Sequence, residues 1–431
     1  MFQKMVFAAF LCFVVGCSSS SDSTREKQGD LDWTFGSPDG YVLFEGWNTD
    51  SYVGLALQSD GRIVVSTGIL NGTDSNAGVL RYHADGTLDG GFGNSGLVTY
   101  DGGNGKDCGR SVVIDGDGKI VFTGYTRGAD DYDMLLMRLN PDGSPDESFG
   151  VNGIVLYDNG HRSDYGRGIA LQQDGKILVT ARSTGDDTSQ ALILRYESDG
   201  TADGSFGVNG VVVYEGAQGN DGFRDLAIQA DGKIVVTGYA RTTVGFEFLT
   251  GRFNVDGTSD VSFGTGGFAL FNGGHGNAGA RGIGILSDGR IVVSGANDNG
   301  NDLDVVVLMY TADGLPESGF GTDGVVIYDG GNGNDNGRKL VVQTGNRIVV
   351  TGNTWNGNNY DTLVLRYHAD GTADTDFGNG GAAVISLGGG DGWGEAVAIQ
   401  TDENIVVAGG IDHETDDVLV MRLIGSSLFA D

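Results

Sequence analysis

The chain has 431 residues, 78 of them glycine and only 4 proline, and a formal net charge of −32. That charge excludes a nucleic-acid partner and electrostatic adhesion to anionic lipid headgroups, both of which need positive surface. Hydrophobic residues make up 39%, enough for a real core, which excludes a chain disordered throughout.

Residues 1–16 read as a signal peptide. Lys4 supplies a positive start, and Met5–Val15 is an apolar run too short to span a bilayer as a stable helix. The run ends in Val14-Val15-Gly16-Cys17. This resembles the lipobox of bacterial lipoproteins; an ordinary secretory signal cut nearby is the alternative. The resemblance implies cleavage before Cys17, a diacylglyceryl thioether on its sulfur and an acylated new N-terminus. Several acyl chains on one residue would bind the bilayer far more firmly than a single one. Ser18 after the cysteine implies, by the same resemblance, the outer membrane of a bacterial cell envelope, at its periplasmic or surface face. Residues 17–30 are polar and aperiodic, and are expected to form a lipidated N-terminus and flexible tether. With Cys12 removed and Cys17 lipidated, Cys108 is the one free thiol expected in the mature chain. That leaves no intramolecular disulfide and no cysteine metal site.

From Leu31 onward one pattern repeats. Phe-Gly occurs at Phe35, Phe92, Phe149, Phe206, Phe263, Phe320 and Phe377, at intervals of 57 residues, with Asp or Glu three residues before each. A second landmark is Asp-Gly-Lys/Arg, as at Asp117-Gly118-Lys119. It decays to Gly345-Asn346-Arg347 and Asp402-Glu403-Asn404 without losing phase. A third is an arginine that ends a hydrophobic run before a turn, as at Arg138. Each copy reads as four short strands, in the second copy Arg110–Asp115, Ile120–Tyr125, Met134–Leu139 and Gly153–Asp158. No capped helical period is present. A four-stranded sheet cannot bury both faces alone, whereas seven arranged radially can. The sequence therefore predicts an all-β, seven-bladed β-propeller of four-stranded antiparallel blades over residues 31–431.

The motifs L-D-x-x-F-G, D-G-K-I-V-V-T-G and R-x-x-x-D-G-T resemble the delta-60 β-propeller repeat of bacterial secreted and surface proteins. The resemblance covers residues 31 to about 424. It implies a propeller and brings little function.

Small residues follow Val112 and its equivalents, which predicts that the strand beginning near Arg110 is innermost. With that phase the chain opens on an outermost strand, Tyr41–Glu45, and ends on a third strand, Val418–Leu423. The N-terminal strand is thus expected to complete the last blade and remove a free sheet edge. The repeated phenylalanines are expected to fill the gaps between blades.

Candidate sites are few. No nucleophile elbow, zinc-helix or phosphate-loop motif occurs. His83 and His368 share one repeat position, His161 and His275 another, and His413 stands alone, so no catalytic residue is assigned. The D-x-x-R pattern pairs Asp107 with Arg110, Asp164 with Arg167, Asp221 with Arg224 and Asp335 with Arg338; Arg281 keeps the arginine, while Val53 and Glu395 replace it. Five guanidiniums are predicted around one channel mouth. They would serve either as an anion or carboxylate site or as inter-blade ion pairs with those aspartates.

Gly102–Asp107 and Gly330–Asp335 fit the spacing of calcium-binding nonapeptides but lie four repeat lengths apart, not in tandem. Asp101, Asp107, Asp329 and Asp335 are nevertheless candidate Ca²⁺ ligands, by their oxygen donors in glycine-rich loops; ordinary acidic turns are the alternative. The last copy departs furthest from the repeat, at Asp391, Trp393 and Glu395. Trp47, Trp355 and Trp393 sit in loops that could contact sugars or peptides. The functional expectation is an envelope-anchored, non-catalytic binding or scaffold module for a protein, peptide or glycan. The alternative is a channel enzyme, a calcium-assisted hydrolase or lyase acting on a sugar or lactone.

Overall fold

The computed structural model describes residues 27–46, 52–72, 74–160, 162–185, 188–388, 390–412 and 416–426. Cys17, the signal segment, Trp47, His161 and His413 lie outside them. The described residues form seven four-stranded antiparallel sheets, each running from an inner to an outer strand in chain order, and one 3-10 turn at Thr344–Asn346. Blade 2 holds Cys108–Ile114, Ile120–Arg127, Tyr132–Leu139 and Ile154–Tyr157, within two residues of the sequence reading at each end. Blade 7 is completed by Tyr41–Glu45, whose register on the last strand runs from Tyr41 opposite Met421 to Glu45 opposite Asp417. The ring closes as its phase predicts. One boundary is corrected. Lys27–Asp30, read as tether, are docked: Gly29 N–H donates to Ile424 O (2.8 Å), and Gly378 N–H to Gln28 O (2.7 Å).

The three sequence landmarks meet in one cluster per blade. In blade 2 the Arg138 guanidinium donates to Asp146 (2.7 Å) and lies 4.6 Å from the centre of the Phe149 ring. The same carboxylate takes Lys119 of the Asp-Gly-Lys turn (2.6 Å). Arg138 also reaches the Ser198 carbonyl in the next blade (2.5 Å). Equivalent triads are Arg81/Asp89/Phe92, Arg195/Asp203/Phe206, Arg252/Asp260/Phe263, Arg366/Asp374/Phe377 and Arg422/Asp32/Phe35. Blade 5 alone substitutes Met309 and Glu317.

All seven phenylalanines are fully buried. The glycine after each sends its N–H to the next turn, as Gly93 does to Asp142 O (2.9 Å). It does so at φ near +50°, a conformation closed to most side chains. Burial works to raise the Asp146 carboxyl, but hydrogen bonds from Lys119 and Ser148 and the Arg138 charge override it and hold the group far below the usual carboxylate range.

Each inner strand carries a β-bulge near its start, between Gly109 and Ser111 in blade 2 and at the equivalent place in blades 3 to 7. A bulge inserts one residue and re-aims its side chain. The inserted residue is Arg110, Arg167, Arg224, Arg281, Arg338 or Glu395, alone or with its neighbour. In this way the repeat turns one side chain per blade toward the axis.

Two outcomes are expected from this packing. Phe206→Ala should lower the unfolding free energy by about 3–5 kcal/mol in denaturant titration, because a fully buried ring is removed. Deleting residues 31–45 strips the edge from blade 7 and should convert a monomer into aggregates on size-exclusion chromatography; a well-behaved monomer would refute the closure.

Candidate functional site: an arginine-lined central channel

The inner strands enclose a cavity of ≈ 300 Å³ on the propeller axis. Its charged lining is Arg110, Arg167, Arg224, Arg281, Arg338 and Lys339, against Glu395 and Asp225. All five predicted arginines therefore converge, in a molecule whose overall charge is strongly negative.

The aspartates of the D-x-x-R pattern do not pair with them. Asp107 is buried and accepts from Gly102 N–H (2.7 Å), the Thr126 hydroxyl (2.6 Å) and Arg127 N–H (3.0 Å). Asp164, Asp221 and Asp335 are equally buried and accept from the N–H of Asn159, Gly216 and Gly330. Each aspartate pins its own loop, so the inter-blade ion-pair reading is corrected. Three residues further on, the bulge swings the arginine away toward the axis.

Two ion pairs relieve part of the charge. Arg338 meets Glu395 at 2.5 Å. Lys339 meets Asp225 at 2.6 Å, across the intervening blade at Gly282. Asp225 also accepts from Ile283 N–H (3.1 Å).

Arg110, Arg167, Arg224 and Arg281 have no carboxylate partner among the described residues. Arg110 instead stacks on Tyr52 (4.3 Å from guanidinium carbon to ring centre) and Tyr125 (4.8 Å), Arg167 lies 5.3 Å from Tyr52, and Arg224 lies 5.0 Å from Tyr239. Such contacts offset part of the cost of desolvation. They leave hydrogen-bond donors unused: Arg110 Nε and Nη1 and Arg224 Nε are buried with no acceptor. Burial and the neighbouring Arg338 charge pull Arg281 down to about 10.

Tyr52 is the residue that sequence reasoning missed. Nothing in the repeat marks it, because it stands where the next blade has Gly109. Desolvation raises its phenol, but the charges of Arg167, Arg110, Arg224 and Arg281 outweigh that and bring it down to about 7.

The other candidates stay apart from the channel. His83 and His368 approach Asp89 (3.7 Å) and Asp374 (3.9 Å) in the staple clusters. Asp391 caps Tyr360 N–H (2.8 Å), and Trp393 packs on the core between blades 7 and 1; of these three irregular residues of the last copy, Glu395 lines the cavity. Trp355 stands edge-on to Tyr360 (5.0 Å). Among the described residues Asp101 and Asp107 join no cluster of three acids, whereas Asp329 and Asp335 come together with Asp304. Cys108 is buried.

The tyrosine gives a pH signature. Between pH about 7 and 10 the unfolded chain holds the phenolic proton and the folded chain has lost it. Tyr52 therefore adds stability as pH rises through this window, and that contribution is lost as pH falls through about 7. Melting curves from pH 6 to 10 should show this rise in the natural chain, and Tyr52→Phe should flatten it. An unchanged profile in the variant would mean that the phenol does not ionise there.

A search of the curated proteins found no match. Among solved structures, Drosophila Semaphorin 2a superposes with a TM-score of 0.53 at 9% identity, over 90% of this chain and 75% of that one. A streptogramin B lyase gives 0.49 at 14% identity, over 89% and 98%. The polysaccharide lyase Uly1 gives 0.49 at 10%, over 86% and 90%. At 9% identity the likeness to the Semaphorin is one of fold. The family model described as "Domain of unknown function (DUF5122) beta-propeller" matches residues 58–92, 116–149, 172–206, 229–263 and 345–377. Those segments are blades 1, 2, 3, 4 and 6, each taken from its first turn to its Phe-Gly. The two remaining blades are the one with Met309 and Glu317 and the one split between the chain ends. Repeats of the DUF5122 β-propeller family thus recur in five of the seven blades of this chain.

Proposed function

We propose that this propeller is a non-catalytic binding module of the bacterial envelope, tethered through a lipidated Cys17, whose channel receives an anionic group of a glycan, peptide or protein ligand. The observation that carries the reading is the set of four guanidiniums, Arg110, Arg167, Arg224 and Arg281, gathered on one axis without carboxylate partners. Uncompensated buried charge destabilises a fold by several kcal/mol, and arginine stays protonated even under such crowding. An arrangement of this cost is understandable where an anion completes it. The cavity volume suits one sugar acid or one acidic side chain, and the guanidinium fork suits carboxylate, sulfate or phosphate.

The course of the chain supports an orientation. The first and third strands of a blade run the same way. Arg338, near the start of one, and Arg366, near the end of the other, therefore lie at opposite faces. The docked segment Lys27–Asp30 lies beside Gly378, Ile424 and Arg366. A lipid anchor reached through it would put the turn face toward the bilayer and the arginine mouth away from it.

A second reading, an enzyme acting in the channel on a sugar or lactone, is favoured by one observation: a phenol that ionises near neutrality among cations can accept a proton.

Calorimetric titration with glucuronate, sulfate and inorganic phosphate tests the first reading. Saturable binding that weakens with added salt is expected. Arg224→Gln should reduce the affinity about tenfold, or about 1.4 kcal/mol, and should raise the melting temperature of the ligand-free protein by relieving repulsion. No heat from any of the three anions would count against the channel as an anion site. Turnover abolished by Tyr52→Phe would move the assignment to the enzyme.

A further inference from the structure

The loops above the blade junctions hold two sets of aspartates in the same repeat positions, three repeats apart. In blade 2, Asp131 and Asp133 lie at the start of the third strand, Asp158 follows the outer strand, and Asp164 begins the inner strand of blade 3. Asp302, Asp304, Asp329 and Asp335 occupy the equivalent places at the junction of blades 5 and 6. Carboxylate oxygens of Asp131, Asp133 and Asp158 lie within 4.8 Å of one another, as do those of Asp304, Asp329 and Asp335.

Proximity of acids alone says little, and a second observation adds to it. Asp304 is 6% exposed and Asp335 0%, yet Asp304 Oδ1 and Asp335 Oδ1 have no hydrogen-bond partner. Asp164, also 0% exposed, leaves Oδ1 unpartnered at the other junction. The Thr354 and Ser183 hydroxyls stand beside Asp335 and Asp164 and favour their charged forms, against the burial that raises both carboxyls. The remaining oxygens are taken by loop donors: Asn299 on Asp304 (2.9 Å), Gly331 N–H on Asp329 (2.6 Å) and Gly330 N–H on Asp335 (2.5 Å). No lysine or arginine pairs with any of these acids among the described residues.

Other junctions of the same protein show what the fold does when this pair of positions is neutralised from within. Where blades 3 and 4 meet, the residues equivalent to Asp133 and Asp158 are Gln190 and Glu215, and the amide donates to the carboxylate (2.9 Å). Where blades 4 and 5 meet they are Glu247 and Asn272, joined by the same bond in the opposite sense (2.9 Å). Where both are aspartate, no such amide lies between them, and the role is left for a cation.

We propose that the propeller binds two calcium ions, one at Asp131, Asp133, Asp158 and Asp164 and one at Asp302, Asp304, Asp329 and Asp335. All the donors are hard oxygens. Carboxylate oxygens within 4.8 Å of one another are close enough to share one cation, and carboxylates on flexible loops suit Ca²⁺. Each ion ties the third strand of one blade to the inner strand of the next. The sites lie off the axis and do not depend on the anion reading of the channel.

The test uses the mature chain, terbium as luminescent probe and calcium as competitor. Tyr157 and Tyr328, on the strands leading into the two loops, are placed to sensitise the emission. Emission should saturate at two terbium ions per chain and be displaced by calcium, and calcium should raise the melting temperature relative to chelator. Asp304→Asn should leave one ion. Asp133→Asn with Asp304→Asn should leave none, yet melt in chelator no lower than the natural chain, because each change supplies the amide already present at Gln190 or Asn272. Melting indifferent to millimolar calcium, or emission that survives in the double variant, would overturn the proposal.

Discussion

The structure depends on one contact made over and over: a buried arginine–aspartate pair lying on a phenylalanine ring, with the arginine's other end on a carbonyl of the next blade. In water an exposed pair of this kind contributes little. Here Asp203 and Arg195 are almost wholly enclosed, and Phe206 beneath them is fully so. The same carboxylate takes the lysine of the first turn, here Lys176 at 3.1 Å. Both turns of a blade are thus fixed to each other and to the neighbouring blade. No sheet here could hide its two faces alone, and this staple sets the pitch at which the next one arrives.

Repetition has an electrostatic consequence. When every blade bulges at the same place, whatever residue stands there is presented to the axis several times over. With arginine in five blades, the crowding falls on a volume of ≈ 300 Å³. The departures from symmetry reduce it: Val53 removes one charge, Glu395 reverses another, and Lys339 finds Asp225 two blades away. Tyr52 does the same in a titratable way, as a phenol that the arginines themselves push toward ionisation. Four guanidiniums remain without a carboxylate within ion-pair distance among the described residues, and the anion proposed for the channel would answer that charge.

The fold was legible because its signals are local and repeated. Phe-Gly, Asp-Gly-Lys and the strand-ending arginine keep phase over the chain, and the closing strand followed from where that phase starts and stops. The identity of the axial residues was legible too, but their partners were not. Asp107 and Arg110 are three residues apart, and only the bulge between Gly109 and Ser111 reveals that they point to different places. Asp304 and Asp329 are brought together by a strand pairing that spacing does not announce, so the acidic loops read as separate features. Tyr52 left no trace in the pattern, since it occupies a glycine position. The docked residues Lys27–Asp30 looked like linker because their contacts are made by backbone groups and by one glutamine.

The most direct measurement is anomalous diffraction from crystals of the mature chain soaked in bromide. The account predicts seven blades and a bromide peak on the axis, within hydrogen-bonding reach of Arg110, Arg167, Arg224 and Arg281. A channel free of bromide, with those arginines turned back onto Asp107, Asp164 and Asp221, would contradict it.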